Sequence, residues 1–201
     1  MDRVTDGRKH NTDGRIARGE RTRESIVAAH TALLREGVLK PTGKVIADRA
    51  GISLRTLWLN FKDLEALLVE TTGYWLALDE ELRTKIDSGQ SQARRIKAYC
   101  RMRASRLENI APAARSARLG EPFSEALRAS RRQHVDRVVA DVEAVFATEL
   151  SAAGDRRDFL RAALVVTSSW PTWAMVRDDL GLSAVDAEDF MRKSIGVLLQ
   201  A

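Results

Sequence analysis

Features that define several protein classes are missing from this 201-residue chain. Its one cysteine, Cys100, excludes an internal disulfide, and its three histidines, His10, His30 and His134, have no metal-ligand spacing. No stretch approaches the roughly 20 apolar residues of a membrane helix, and the charged start lacks the apolar core of a secretory signal. We therefore expect a cytoplasmic protein without membrane contact, metal site or other cofactor.

The motifs of common catalytic sites are also missing. The sequence contains neither GxGxxG nor a phosphate-binding loop, and neither HExxH nor GxSxG occurs in it. The three histidines are scattered over separate stretches of the chain, so no nucleophile is paired with a base. We expect that the protein is not an enzyme and has no catalytic residue.

Positive charge is concentrated at the amino-terminal end. Residues 1–62 contain 13 Lys and Arg against 7 Asp and Glu, a net charge of +6, whereas residues 63–201 contain 20 against 21. A basic segment of this kind suits a nucleic-acid partner, although a solvated surface has the same composition. A fold that presents the charge to DNA is needed to decide between the two.

Apolar residues recur at three- and four-residue spacing and strand-like alternation is not visible, so we predict an all-α protein. Residues 1–20 have no hydrophobic face, which predicts a flexible basic arm. Four arginines in or just after this arm could enter a minor groove of DNA, or they could only make the chain more soluble. They are Arg15, Arg18, Arg21 and Arg23. The first helix is predicted from about Thr22 to Glu36, with Gly37 at its end.

A helix-turn-helix is predicted over the next twenty residues. Thr42 is a candidate N-cap for a short helix that ends at Ala50, because Gly51 can adopt the positive φ of a tight turn. Ser53 then caps a third helix. Two short helices joined in this way present the second helix to the major groove, and we assign residues 21–63 to a DNA-binding domain.

The residues of this region resemble the TetR family of bacterial regulators. The resemblance rests on five segments: Thr22-Arg-Glu, Ile46-Ala-Asp-Arg-Ala-Gly-Ile-Ser53, Thr56-Leu-Trp, Phe61, and Glu65-Ala-Leu-Leu68. It spans residues 21–70 and departs from the family at Gly43, where an apolar residue is usual, and at Leu64, where a lysine is common. It implies a homodimer that binds a palindromic operator, usually as a repressor, and leaves it when a small molecule enters the carboxy-terminal domain.

Ten residues are predicted to contact double-stranded operator DNA: Thr42, Lys44, Ser53, Leu54, Arg55, Thr56, Trp58, Leu59, Asn60 and Lys62. Thr42 and Lys44 are placed to hold a phosphate or simply to cap a helix. Arg55 can bind guanine O6 and N7, or a phosphate without reading sequence. Trp58 stands where the family usually has tyrosine, which implies a phosphate contact through its indole N–H, although an aromatic side chain there could equally be core.

Residues 64–201 are predicted to form a helical domain for effector binding and dimerisation. Its helices are expected over 64–86, 92–109, 123–150, 155–179 and 184–200, with breaks at Ala111-Pro112 and Gly120-Glu-Pro122 and a kink at Pro171. The first of these helices would connect the DNA-binding domain to the rest of the helical domain. The last two would meet a second copy as a four-helix interface, unless they are buried within one subunit.

A binding site for a small-molecule effector is predicted from bulky apolar residues with a few polar groups, each of which could also be ordinary packing. The candidates are Trp75, Tyr99, Met102, Arg103, Phe123, His134, Trp170 and Trp173. Residues 91–137 contain 12 Lys and Arg against 4 Asp and Glu, which suits either an anionic effector or a solvated face. A helical interaction scaffold that has lost DNA binding is the alternative function.

Overall fold

The computed structural model describes residues 7–200, with side chains from residue 17 onward, and every regular element in that range is helical. The helices are α1 (Gly7–Arg35), α2 (Gly43–Ala50), α3 (Leu54–Asn60), α4 (Leu64–Glu81), α5 (Gln92–Gly120), α6 (Glu125–Val145), α7 (Ala147–Ala152), α8 (Arg157–Thr167), α9 (Trp170–Ala174) and α10 (Ala184–Gln200). The predicted all-α fold, an amino-terminal helix-turn-helix followed by a helical body, is confirmed. No helix among these residues is long and apolar enough to span a membrane.

Helices α1 to α3 share a small core with the first turn of α4. Its buried members are Ile26, Val27, Leu33, Ile46, Ala47, Leu57, Phe61 and Leu67. Because Leu67 belongs to α4, the first helix of the body is anchored in the core of the helix-turn-helix. A movement of α4 is therefore transmitted directly to α2 and α3.

The body is built around α5, which packs against α4, α6 and α10. Its larger core combines residues of α5, α6, α8 and α10, among them Leu107, Val142, Leu164 and Ile195. Helix α8 lies between α6 and α10 and contacts both. The body is thus a bundle in which α4 faces the amino-terminal domain and α8 and α10 lie together.

A buried ion network joins α4, α5 and α6. Arg106 donates to Asp79 at 2.8 and 2.6 Å and to Asp141 at 2.6 Å, and Arg83 donates to the second oxygen of Asp141 at 2.8 Å. Burial alone would raise the pKa of Asp79, but hydrogen bonds from Arg106 outweigh it, and the pKa lies below its usual value. This network fixes where the far end of α4 meets the body.

Several predicted boundaries of the early helices are wrong. Helix α1 begins at Gly7 instead of Thr22, so residues 7–20 of the predicted arm are helical, and residues 1–6 lie outside the described residues. Helix α4 ends at Glu81 instead of Ile86, because the next residue but one, Arg83, turns to bind Asp141. Helix α5 continues through Pro112, where buried neighbours on both sides outweigh one lost backbone hydrogen bond.

The later helices are more broken than predicted. The segment expected as one helix over 123–150 starts at Glu125, because Ser124 caps it, and is interrupted at Phe146. The ring of Phe146 is fully buried against Tyr99, with 5.2 Å between ring centroids, and this packing holds the backbone out of helical geometry. The segment 155–179 contains α8 and α9, and a π-helical stretch, Met175–Asp179, continues α9. Pro171 stands in the first turn of α9, where its missing N–H is not needed.

Candidate DNA-binding surface and effector cavity

Helices α2 and α3 have the predicted N-caps. The backbone N–H of Val45 donates to the Thr42 hydroxyl at 3.4 Å, and that of Thr56 donates to the Ser53 hydroxyl at 3.0 Å. Gly51 follows α2 with φ 68°, in the left-handed region that favours glycine. The two helices therefore start and stop where side-chain capping and glycine allow, which fixes the direction of α3.

The outer face of α3 is exposed. Leu57 is fully buried in the core, whereas Leu59 is 74% exposed and Leu54 is 43% exposed. Arg55 is also exposed and, among residues 17–200, has no carboxylate partner. A short helix with an unpaired arginine between apolar side chains has the features needed to read base edges in a groove.

The cations beside α3 are also accessible. Lys44 is largely exposed and is held 2.7 Å from Asp48 in its own helix, and Lys62 is 81% exposed. Asp63 caps α4 by accepting from the N–H of Ala66 at 2.7 Å. Asn60 donates to the carbonyl of Thr56 at 2.8 Å, so part of its donor capacity is used within α3.

Trp58 lies against the start of α2. A Cβ atom placed on Gly43 would be 2.5 Å from Cζ2 and 2.9 Å from Cη2 of Trp58, far inside contact distance. The indole remains 41% exposed, so Trp58 is neither a core residue nor a free surface residue. Glycine at position 43, where TetR-family proteins usually have an apolar residue, thus makes room for tryptophan at position 58, where they usually have tyrosine.

The Arg23 side chain, grouped with the arginines of the predicted arm, is 42% exposed but is bound within the protein. Its guanidinium donates to Glu70 at 2.8 Å and to the carbonyl of Asn60 at 2.6 Å, and it lies 4.2 Å from the centroid of the Phe61 ring. These contacts join α1, α3 and α4. Arg23 is therefore a structural residue of the domain, because its donors are already engaged within the protein.

A cavity of about 530 Å³ opens in the body between α4, α5, α6 and the α8–α9 junction. Its apolar wall includes Ile110, Leu127, Val135 and Val165. Its polar and charged lining comprises Thr72, Arg118, Glu121, Ser130, Arg131, His134, Ser169 and Thr172, together with the indoles of Trp75 and Trp170. This volume and this lining are of the kind that holds a small organic molecule.

The cavity brings together three of the eight predicted effector residues, Trp75, His134 and Trp170. Tyr99, Met102 and Trp173 pack in the body core instead. Phe123 does not line the cavity: it is 89% exposed, because the three-residue turn Glu121–Phe123 places its ring in solvent. Arg103 is completely buried and does not line the cavity, although its charge acts on His134.

Several buried polar groups around the cavity have no hydrogen-bond partner among residues 17–200. They are the indole nitrogens of Trp75 and Trp170, both ring nitrogens of His134, and Nη1 of Arg103. Burial, together with the nearby Arg103 charge, lowers the pKa of His134 to about 4, so the imidazole is neutral at pH 7. A buried polar group without a hydrogen-bond partner costs free energy, so several of them around one cavity indicate a site where a ligand supplies the missing partners.

Helix α4 links this cavity to the helix-turn-helix. Thr72, Trp75 and Leu76 line the cavity, and Leu67 of the same helix lies in the helix-turn-helix core. The Arg35 guanidinium stands 4.7 Å from the Trp75 ring centroid, and His30 is hydrogen-bonded to Thr71 at 2.8 Å. Both contacts tie α1 to the stretch of α4 that lines the cavity.

Sequence reasoning missed the partners that act over long separations. The pairing of Asp79 with Arg106, the bond from Arg103 to the Ser168 carbonyl, and the packing of Trp58 on Gly43 all depend on the tertiary fold. The one available signal was the acidic Asp79 on the apolar stripe of a helix, where a charge needs a buried partner.

The fold and the site define a helix-turn-helix protein with a helical companion domain that contains a cavity. Two solved structures share this fold. One, from Mesorhizobium loti and assigned to the TetR family of transcriptional regulators, matches with a TM-score of 0.65 and 18% identity over 91% of this chain and 97% of its own. A transcriptional regulator from Rhodococcus sp. matches with a TM-score of 0.61 and 16% identity, over 89% and 96%.

Neither a family model nor a curated protein matches the sequence. The likeness to the two solved structures is therefore one of fold, and it extends over most of the chain, well beyond the residues 21–70 that carry the sequence resemblance. The predicted resemblance to TetR-family regulators is confirmed at that level.

Proposed function

We propose that this protein is a cytoplasmic, ligand-responsive transcription regulator, not an enzyme, that binds a palindromic operator as a homodimer and is released by a small molecule. The observation that carries the proposal is the outer face of α3, which leaves Leu54, Arg55 and Leu59 exposed beside the accessible Lys44. An exposed recognition helix next to cations is what major-groove binding requires.

The roles at the DNA divide between phosphate and base contacts. Lys44, Lys62 and the Trp58 indole N–H hold the phosphate backbone on either side of α3, together with the capped start of α2 at Thr42. Arg55 reads a guanine, while Leu54 and Leu59 contact thymine methyl groups. Ser53 and Thr56, whose hydroxyls are 2.8 Å apart, hold the start of α3 in register.

The dimer forms through α8 and α10, which pack on each other and keep large apolar side chains exposed. On α8 these are Phe159 and Val166, 67% and 61% exposed; on α10 they are Phe190 and Val197. Exposed apolar side chains on two neighbouring helices support an interface with a second copy. In such a dimer, residues 21–63 of each chain would bind one half-site, and residues 64–201 would join the copies.

Ligand in the cavity acts through α4. A molecule that pushes on Trp75 and Leu76 displaces a helix whose first turn, at Leu67, is packed into the helix-turn-helix core. The two recognition helices of the dimer would then lose the spacing of about 34 to 36 Å that successive major grooves require.

The test compares single charge removals on DNA from upstream of the protein's gene and on random DNA. Arg55→Ala should cost about 1 to 3 kcal/mol on the upstream DNA and little on random DNA, whereas Lys44→Ala should weaken both and reduce the salt slope by about 1. Lys97→Ala, which removes an exposed charge from α5, serves as the control and should change neither. Binding that is insensitive to salt and to Arg55 would favour the scaffold alternative.

A further inference from the structure

Arg103 is a buried cation without a carboxylate partner. Its side chain is fully buried, and its Nε and Nη2 donate to the Ser168 carbonyl at 3.2 and 2.9 Å. Its third nitrogen, Nη1, has no partner among residues 17–200. A guanidinium removed from water is unfavourable when its hydrogen bonds go only to a carbonyl, and here the carboxylates of Asp79 and Asp141 act on it only from beyond hydrogen-bond distance.

The acids near Arg103 are already committed elsewhere. Asp79 binds Arg106, and Asp141 binds both Arg106 and Arg83. Arg83 and Arg106 take up these two carboxylates, and Arg103 is the cation without a hydrogen bond to either of them. Arg137 also acts on His134, and it donates to the carbonyl of Leu76 at 2.9 Å.

The rest of the basic stretch 91–137 does not share this feature. Most of its arginines are paired with a carboxylate at hydrogen-bond distance: Arg95 with Glu149, Arg106 with Asp79 and Asp141, Arg115 with Asp178, Arg128 and Arg132 with Glu125, and Arg131 with Glu121. Arg103 differs from the exposed arginines because water does not solvate it. The unneutralised charge is thus localised at one point of the body.

That point adjoins the cavity, because Arg103 is bonded to Ser168 and the next residue, Ser169, lines the cavity. His134 also lines the cavity and is acted on by Arg103, and its ring nitrogens and the indole nitrogens of Trp75 and Trp170 are buried without a partner among residues 17–200. The remaining wall is mostly apolar, with Leu127, Val135 and Val165. A negatively charged acceptor beside His134 would lie in the field of the Arg103 cation, and an apolar body would fill the remaining space.

We propose that the cavity binds apolar carboxylates, with the carboxylate against His134 and Trp75 in the field of Arg103 and the hydrocarbon along Leu127, Val135 and Val165. The proposal rests on the proposed function, since it specifies the chemistry of the effector. Arg103 acts as a positioning residue, because it attracts the anion without lining the cavity. Exposed Arg118, also on the lining, adds a second positive charge without a partner among residues 17–200.

The experiment measures direct binding to the full chain without DNA, by calorimetry and tryptophan fluorescence. The probes are octanoate, decanoate and 1-naphthoate, each compared with its alcohol, and decylamine as a cationic control. The carboxylates should bind at least about tenfold tighter than the alcohols, since a charge-assisted contact in a low dielectric is stronger than a neutral one. Decylamine should bind more weakly than either.

Arg103→Met should bring the acid and the alcohol within about threefold of each other, because it removes charge and keeps volume. Arg103→Lys should retain the preference, and so should Arg101→Met, the matched control at an exposed position of the same helix. If Arg103→Met does not fold, as circular dichroism would show, His134→Leu supplies the test and should weaken the carboxylates about fivefold or more.

Equal affinity for acid and alcohol would overturn the proposal, as would a preference that survives Arg103→Met, tighter binding of the amine, or no binding of any of the three acids at millimolar concentration. These measurements contain no DNA. Failure of the protein to bind upstream DNA would therefore refute the proposed function separately, without changing the ligand result.

Discussion

Trp58 lies so close to Gly43 that a single methyl group on the glycine would reach the benzo edge of the indole, 2.5 Å from Cζ2. The same Cβ would be 3.3 Å from Cδ2 of Leu57, which is fully buried and has little room to move. The absence of a side chain at one position and the large side chain at the other therefore form one arrangement, which sets the indole beside the start of α2.

Gly43→Ala should destabilise the protein by about 1 kcal/mol through this overlap, although alanine is the better helix former. In a Trp58→Ala background the overlap with the indole is removed, so the same change should stabilise by about 0.5 to 1 kcal/mol. Urea unfolding of the four proteins of this double-mutant cycle measures the coupling. Effects of Gly43→Ala that are equal in both backgrounds would show that the two residues do not interact.

Arg106→Met should destabilise the body by about 3 to 5 kcal/mol, because it leaves the Asp79 and Asp141 carboxylates buried without their main partner. Arg115→Met is the matched control: it breaks an arginine–aspartate pair of equal length, 2.6 Å, whose two side chains are 37% and 43% exposed. Its cost should stay below about 1 kcal/mol. The midpoint of denaturant unfolding is compared between the two variants. A similar decrease in the free energy of unfolding in both would contradict the assignment of a buried network.

His30 makes the stability depend on pH. Burial lowers its pKa to about 4 from 6.5, so the unfolded chain takes up a proton at a pH where the folded chain does not. The stabilisation by neutral His30 is complete above pH 6.5 and decreases as pH falls toward 4, by about 1 kcal/mol between pH 7.5 and 5.5. His134 contributes in the same direction, because its pKa is also lowered.

His30→Gln removes this titration and keeps a hydrogen-bonding group facing the hydroxyl of Thr71, which is 2.8 Å from Nδ1. The loss of stability between pH 7.5 and 5.5 should be about 1 kcal/mol smaller in the variant. Unfolding in urea at the two pH values checks this. An unchanged pH dependence would mean that the pKa of His30 is the same in the folded and the unfolded chain.

Phe159→Asp should convert the protein from a dimer to a monomer, because it places a charge in the apolar face of α8. Light scattering after size exclusion should give about twice 22.4 kDa for the unmodified chain and 22.4 kDa for the variant. Phe123→Asp, at a still more exposed phenylalanine on the turn before α6, should leave the dimer intact. A monomeric parent protein at micromolar concentration would reject the interface altogether.

The parts of the fold that could be predicted are those with local causes. The caps at Thr42 and Ser53 and the left-handed Gly51 follow from neighbouring residues, and all three are confirmed. The last helix was also predicted with its observed bounds, Ala184–Gln200, since its apolar spacing and the preceding Gly181 mark it locally. Local chemistry of this kind does not depend on the rest of the chain.

The parts that could not be predicted depend on distant partners. Pro112 looks like a helix end from its own chemistry, but the burial of Ile110, Ala111 and Ala113 keeps α5 continuous. Phe146 fits a helix locally, and it breaks one because Tyr99 holds its ring in the core. For the effector candidates, an aromatic side chain alone did not show whether the residue lines the cavity or packs in the core, because both places require large apolar side chains.

Hydroxyl-radical footprinting on the DNA upstream of the protein's gene measures whether α3 of each subunit enters a major groove. Two protected half-sites are expected, with their centres about 10 to 10.5 base pairs apart or a multiple of that. Arg55→Ala should remove both protections, while Lys97→Ala should remove neither. Protection that is absent, confined to one half-site, or unchanged by Arg55→Ala would refute the entry of α3 into the groove.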